Sequence, residues 1–385
     1  MKKVFRFNLF VFGFMLMTCS TVLVAQPASK QRLNQIMSGI GSEMSALFPL
    51  VLADRTLTTA ENEAILDSVN TLQALFDQAE PFIRQKSPTY LLSFQLLQDY
   101  LESIIDDVNP LNLEPVRQRL RVLSDFCVSC HTQDDKFRTL FKKSELSIFD
   151  GLLTYAEFNY ATRNYLEAQA YYEKYLLFTP SLSDKEMLKP LHRILSIHTQ
   201  ILNQPLDAIS ALSKLEEGIS YQEDIKNYVQ GAKAALSNLN NDAMVKKSTL
   251  SYFELSKSVA KILSGVNASQ PIIVTSPQEE VDRLWLRGAL FRYLNQNPKP
   301  DEIPSILYWL ALCDRSLGYG YDYTLADFYI RQCIVKYPEH PFARRCYNEY
   351  EAYVKYFYIT PTEPVLPVEI SKELKSLKAV LDKKK

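Results

Sequence analysis

Between residues 30 and 145 the apolar positions recur at steps of three and four, the period of an amphipathic helix, in four successive stretches. The first carries Leu33, Ile36, Met37, Ile40, Met44, Leu47 and Val51. The second opens with Thr58-Thr59-Ala60-Glu61, the pattern of a capping box, and continues through Ile65, Val69, Leu72 and Phe76. Ser87-Pro88 starts the third, whose inward positions are Leu91, Phe94, Leu101, Ile105 and Val108, and Asn109-Pro110 ends it. The fourth holds Val116, Leu120, Leu123, Cys127 and Cys130. Four amphipathic helices joined by short loops predict an antiparallel bundle.

Beyond residue 145 the periodicity stays helical but acquires a repeat. In Leu152 to Pro180, the positions of Leu152, Tyr155, Ala156, Tyr165, Ala168, Tyr172 and Pro180 resemble those of a tetratricopeptide repeat. The small residues Ala156 and Ala168 let the two helices of such a unit approach closely. Residues 191 to 212 read as a degenerate second unit with Ala208 in the small position, and residues 307 to 338 as a further one built on Ala326 and Pro338. Residues 265 to 278 read as a linker. Because repeat units need neighbours to bury their faces, residues 146 to 360 are expected to form one curved array, a surface suited to protein partners. Residues 361 to 385 read as a tail, an extended connector followed by a short Lys-ended helix.

Composition narrows the class. The 385 residues are 47% hydrophobic and 23% charged, with only 10 glycines, which fits a globular helical chain. A net charge of -1 gives no case for nucleic acid. The first 25 residues have a basic start, an apolar run and Ala25 before a polar stretch, the form of a secretory signal. Retained, the same run would be a membrane anchor. Export, to a bacterial periplasm or its equivalent, puts the remaining chain in an oxidising compartment.

The most specific chemistry lies in Cys127-Val128-Ser129-Cys130-His131. A structural zinc site needs about four ligands, and no second CxxC or His pair completes one. A thioredoxin-like dithiol calls for a βαβ setting, whereas this run ends a helix. Covalent haem c accounts for all three residues: two thiols for thioether bonds and an adjoining imidazole for the iron. Helical spacing places Cys127 and His131 one turn apart on the same face.

A CxxCH run on the last helix of an exported four-helix bundle resembles the cytochrome c prime family. Residues 36 to 51, IMSGIGSEMSALFPLV, are similar to that family's opening helix. The resemblance covers about residues 30 to 142. It departs after the motif, where Thr132-Gln133-Asp134-Asp135 precedes Phe137-Arg138 in place of a closely following aromatic-basic pair. It implies one haem c, His131 as proximal iron ligand and a distal face built by the first helix. That face is either an open pocket for small gases or closed by a methionine of the first helix, Met37 being a better candidate than Met44 and core packing the alternative for each. Asn34 or Gln31 stand one turn earlier. A His–Met pair favours electron transfer, and an open iron favours ligand binding.

The functions that follow are electron transfer with a redox partner protein, or small-gas binding, with the repeats docking a protein partner. The alternatives are a haem enzyme acting on peroxide or nitrogen oxides, and a scaffold with a structural haem. The enzyme reading calls for a distal His or Arg, and the bundle has no second His. His192 and His198, six positions apart, read as structural, and His340 as an exposed loop residue. Among Cys313, Cys333 and Cys346, a Cys333–Cys346 bridge across the YPEHP turn is expected, leaving one thiol free. The Tyr-rich stretch from Tyr319 to Tyr329 reads as repeat core and interface.

Overall fold

The computed structural model describes residues 25–53, 55–84, 88–106, 108, 112–131, 145–219, 222–247, 249–264, 276–294, 298–317, 325–360 and 365–383, and the side chains of these except at 25–30, 88–93, 106, 122 and 124–131. Within these residues the chain is all-α, with fifteen α-helices and no strand.

The first four helices are α1 (Ala25–Leu52), α2 (Thr59–Arg84), α3 (Pro88–Asp106) and α4 (Glu114–His131). Their apolar stripes turn inward, burying Ile40, Met44 and Val51 of α1, Ile65, Val69 and Leu72 of α2, Leu101 and Ile104 of α3, and Val116, Leu120 and Leu123 of α4. The capping box forms: the Glu61 N–H donates to Thr58 Oγ1 at 3.3 Å and the Thr58 N–H donates to Glu61 Oε2 at 2.8 Å. Each helix packs on the next, and α4 returns to α1. The contacts are specific. A Cβ on Gly39 of α1 would stand 3.4 Å from Leu75 of α2, so the two helices are close there. Phe76 of α2 meets Phe94 of α3 edge-on at 5.7 Å, and Tyr100 of α3 donates to the Arg119 carbonyl of α4 at 3.0 Å.

The remaining helices are α5 (Leu152–Ala161), α6 (Tyr165–Phe178), α7 (Asp184–Leu195), α8 (Pro205–Gly218), α9 (Glu223–Asn241), α10 (Tyr252–Ile262), α11 (Pro277–Leu294), α12 (Ile303–Leu317), α13 (Ala326–Lys336), α14 (Pro341–Tyr358) and α15 (Val368–Asp382). The pair α5–α6 packs through Ala156 and Ala168, both fully buried. Ser183 and Glu186 cap α7 reciprocally, and it runs on into a π-helical turn, Ser196–Ile201. The widened turn directs the Gln200 carbonyl at α11. A Cβ on Gly288 would lie 2.2 Å from that oxygen, and Arg292 donates to it at 3.0 Å. Only glycine permits this crossing.

The segment read as a tail carries α15, whose Leu374, Leu377 and Leu381 are buried against α13 and α14. His340 is not a free loop residue: it is the N-cap of α14, its Nδ1 accepting the Phe342 N–H at 3.2 Å. Cys333 and Cys346 form the expected disulfide between α13 and α14, and Cys313 is a buried free thiol. Much of the linker (265–275) and residues 319–324 of the Tyr-rich stretch lie outside the described residues, as does the N-terminal segment 1–24.

Candidate functional site

Cys127, Cys130 and His131 occupy the last turn of α4, whose backbone is helical through His131. Their side chains lie outside the described residues. At 100° per residue, backbone positions i, i+3 and i+4 fall within one sector of about 100°, so two thiols and an imidazole start from a common face. That donor set fits haem c, whose attachment needs two thiols at this spacing and a neighbouring ligand.

The direction of α4 decides what that turn faces. Arg121 Nε donates to the Val51 carbonyl at 3.2 Å, and Arg117 donates to the Ala53 carbonyl. The start of α4 therefore lies beside the end of α1, and the two helices run antiparallel. The motif end of α4 is directed toward the N-terminal end of α1, along the stretch that carries Met44 and then Met37. At about 1.5 Å per residue, the Arg121–Val51 contact puts the motif near the depth of Met44. The route around the ring, through Gly39, Phe76, Phe94 and Tyr100, puts it near Met37. The two methionines thus bracket its depth. Met44 is fully buried, and Met37 is partly buried against the core. Gln31 and Asn34 are exposed, so they turn away from the interior. The described side chains that fill this end are apolar, including Leu33, Ile36, Ile40, Phe76, Ala79 and Phe94. Such a lining suits a flat hydrophobic macrocycle and discourages water.

The array's histidines are engaged elsewhere. His198 is buried, and its Nε2 lies 2.9 Å from Gln169 Oε1. Burial holds its pKa below the ordinary histidine range, against the opposing charges of Asp207 and Glu173. His192 Nε2 is 3.5 Å from Glu280 Oε1, and its ring meets Tyr228 edge-on.

Two buried charge clusters organise the array. Glu157 of α5 accepts from Tyr172 at 2.6 Å and from Arg193 at 3.1 and 3.0 Å, with Lys189 at 3.5 Å. Burial pushes its carboxyl up, but Arg193, Lys189 and the hydrogen bonds outweigh it and bring the pKa down to about 2. Arg287 of α11 and Asp314 of α12 pair at 2.5 Å with 1% and 0% exposure. Sequence reading missed both clusters. The only local signal is a charged residue at an otherwise apolar position of a helix.

Among the described residues no group of three or more His, Cys, Asp or Glu could hold a metal ion. No family model, curated protein or solved structure matches the chain.

Proposed function

We propose that this chain is an exported c-type cytochrome in which residues 30–145 form a cytochrome c prime-like four-helix bundle and residues 146–360 a tetratricopeptide-like array. In this reading Cys127 and Cys130 carry one haem c through thioether bonds, and His131 is its proximal ligand. The observation that carries it is the placement of Cys127-x-x-Cys130-His131 on the final turn of α4, antiparallel to α1, at an end whose described interior is apolar. Bound there, the haem supplies a one-electron couple and an iron able to take a small gas. The chain's own part is to orient the imidazole from a rigid helix and to exclude water with apolar side chains from α1, α2 and α3. A methionine of α1, Met37 before Met44, is the candidate for a sixth ligand. The array presents helical surfaces for docking to a redox or other partner protein. Because the bundle has no second His, an electron carrier or gas binder is favoured over an enzyme.

The test is the chain exported in a host that attaches haem c. The purified protein should keep haem through denaturation, and Cys127→Ala with Cys130→Ala should lose all of it. Spectra of the reduced protein with and without carbon monoxide then separate a closed iron from an open one. Covalent haem retained by the double variant would overturn the reading.

A further inference from the structure

Between α11 and the loops that precede α8 and α10 lies an open cavity of about 270 Å³, counting its mouth. One face of α11 forms a wall with Trp285, Ala289 and Arg292, spaced by four and three residues. Met244, Lys247 and Leu250 come from the α9–α10 loop, and Asn203 from the loop after the π-helical turn. Asn203 has a left-handed backbone, φ 54°, a conformation asparagine tolerates better than most residues. Its Nδ2 donates to the Val245 carbonyl at 3.0 Å and so ties the two loops together. That bond fixes the orientation of the amide and leaves Oδ1 as a spare acceptor.

Two polar atoms of this lining are buried and have no hydrogen-bond partner among the described residues. One is Trp285 Nε1, a donor on a side chain only 3% exposed, and the other is Asn203 Oδ1. A buried donor or acceptor left unmet is costly, so a pair of them in one cavity calls for an occupant. The charge of the lining has one sign: it holds Arg292 and Lys247, and no Asp or Glu. Arg292 donates to the Gln200 carbonyl at 3.0 Å. Burial lowers its pKa to about 10, which leaves it charged at neutral pH. The exposed Lys247 pairs with Glu254.

We propose that this cavity binds a small α-hydroxy carboxylate such as lactate, its carboxylate held by Arg292 and the Trp285 N–H and its hydroxyl by Asn203 Oδ1. A guanidinium beside a second N–H donor is the recognition a carboxylate asks for. The spare acceptor demands a donor on the same ligand, which a halide lacks. An ammonium would supply one, but it would sit among Arg292 and Lys247 with no carboxylate in the lining to receive it. The enclosed part of the cavity admits only a group of a few atoms, and Met244 and Leu250 offer apolar surface to a methyl. The inference concerns the array alone and does not depend on haem.

The experiment reads the indole itself. The chain has two tryptophans, so nuclear magnetic resonance of the full chain with labelled indole nitrogen gives two N–H signals, and Trp309→Phe identifies the one from Trp285. Lactate should move the Trp285 signal downfield and saturate with a Kd on the order of 1 mM, leaving the Trp309 signal in place. Propionate, which lacks the hydroxyl, should bind about tenfold more weakly. Propylene glycol, which lacks the carboxylate, should produce no saturating shift. Asn203→Gly keeps a backbone that allows positive φ and removes the acceptor, so it should abolish the preference for lactate over propionate. If that variant fails to fold, the lactate–propionate comparison on the unmodified chain decides alone. An unmoved Trp285 signal at saturating lactate overturns the proposal and assigns the two orphaned atoms to a bound water. Equal affinity for lactate and propionate in the unmodified chain overturns it as well.

Discussion

Lys336 Nζ of α13 lies 2.9 Å from Asp99 Oδ2 of α3, joining residues 237 positions apart. Gln332 donates to the same oxygen at 3.0 Å, and Tyr100 meets Phe328 edge-on at 5.9 Å. With α5 packed on α1 and α4, the later helices touch the first four from two separate places in the sequence, α5 and α13. The Asp99–Lys336 pair is about one-third exposed on each side, so solvent screens it, and such pairs contribute about 0.2–1 kcal/mol. Asp99→Asn should therefore lower the unfolding free energy by less than about 1 kcal/mol in denaturant titration.

The same interface bears on how separable the two halves are. Residues 26–142, exported alone, should take up haem and give the absorption spectrum of the full chain. Every residue proposed for the ligand set lies within that piece. A changed iron coordination would require a ligand from His192, His198 or His340, and the modular reading would fail.

Met37 and Met44 bracket the depth of the motif, and substitution distinguishes them. With Met37 as sixth ligand, Met37→Ala should remove the charge-transfer band of a His–Met haem and admit carbon monoxide, while Met44→Ala should leave that band in place. Met44→Ala should instead cost about 2–5 kcal/mol of stability, because the residue is fully buried. Rapid carbon monoxide binding by the unsubstituted protein would show that neither methionine closes the iron.

Glu157 makes the array sensitive to acid. Its pKa falls from an ordinary 4.5 to about 2 in the folded chain: burial raises it, but Arg193 and Lys189 prevail. A depressed folded pKa stabilises above the unfolded value, and that stability is lost as pH falls from about 4.5 through 2. The loss should be on the order of 3 kcal/mol. Denaturant melts between pH 6 and 2 should show it, and Glu157→Gln should flatten that limb of the profile.

Asp314→Ala should destabilise the protein by about 3–5 kcal/mol, since it leaves the buried Arg287 guanidinium without its carboxylate. Replacing both, Arg287→Met with Asp314→Leu, should recover most of that loss in thermal melts. Equal destabilisation by the single and double variants would show that packing, and not the unmatched charge, sets the cost.

The sequence by itself determined the local elements. Period and caps set α1 through α4, because a helix face repeats every few residues and the Thr58–Glu61 box is a short-range contact. The helical placement of Cys127-x-x-Cys130-His131 was legible for the same reason: its spacing is that of a single helical turn. The Cys333–Cys346 bridge was within reach because only a short turn separates its helices. The tertiary structure decided what depends on distant residues meeting. Nothing near Gly288 announces that the Gln200 carbonyl will fill the space of its missing side chain. Asp99 does not reveal Lys336, nor Arg287 Asp314, and the Lys-rich end gives no sign that Leu374, Leu377 and Leu381 will seat it on α13 and α14. Periodicity tells a residue which side of its own helix is buried. Which helix covers that side depends on the path of the whole chain.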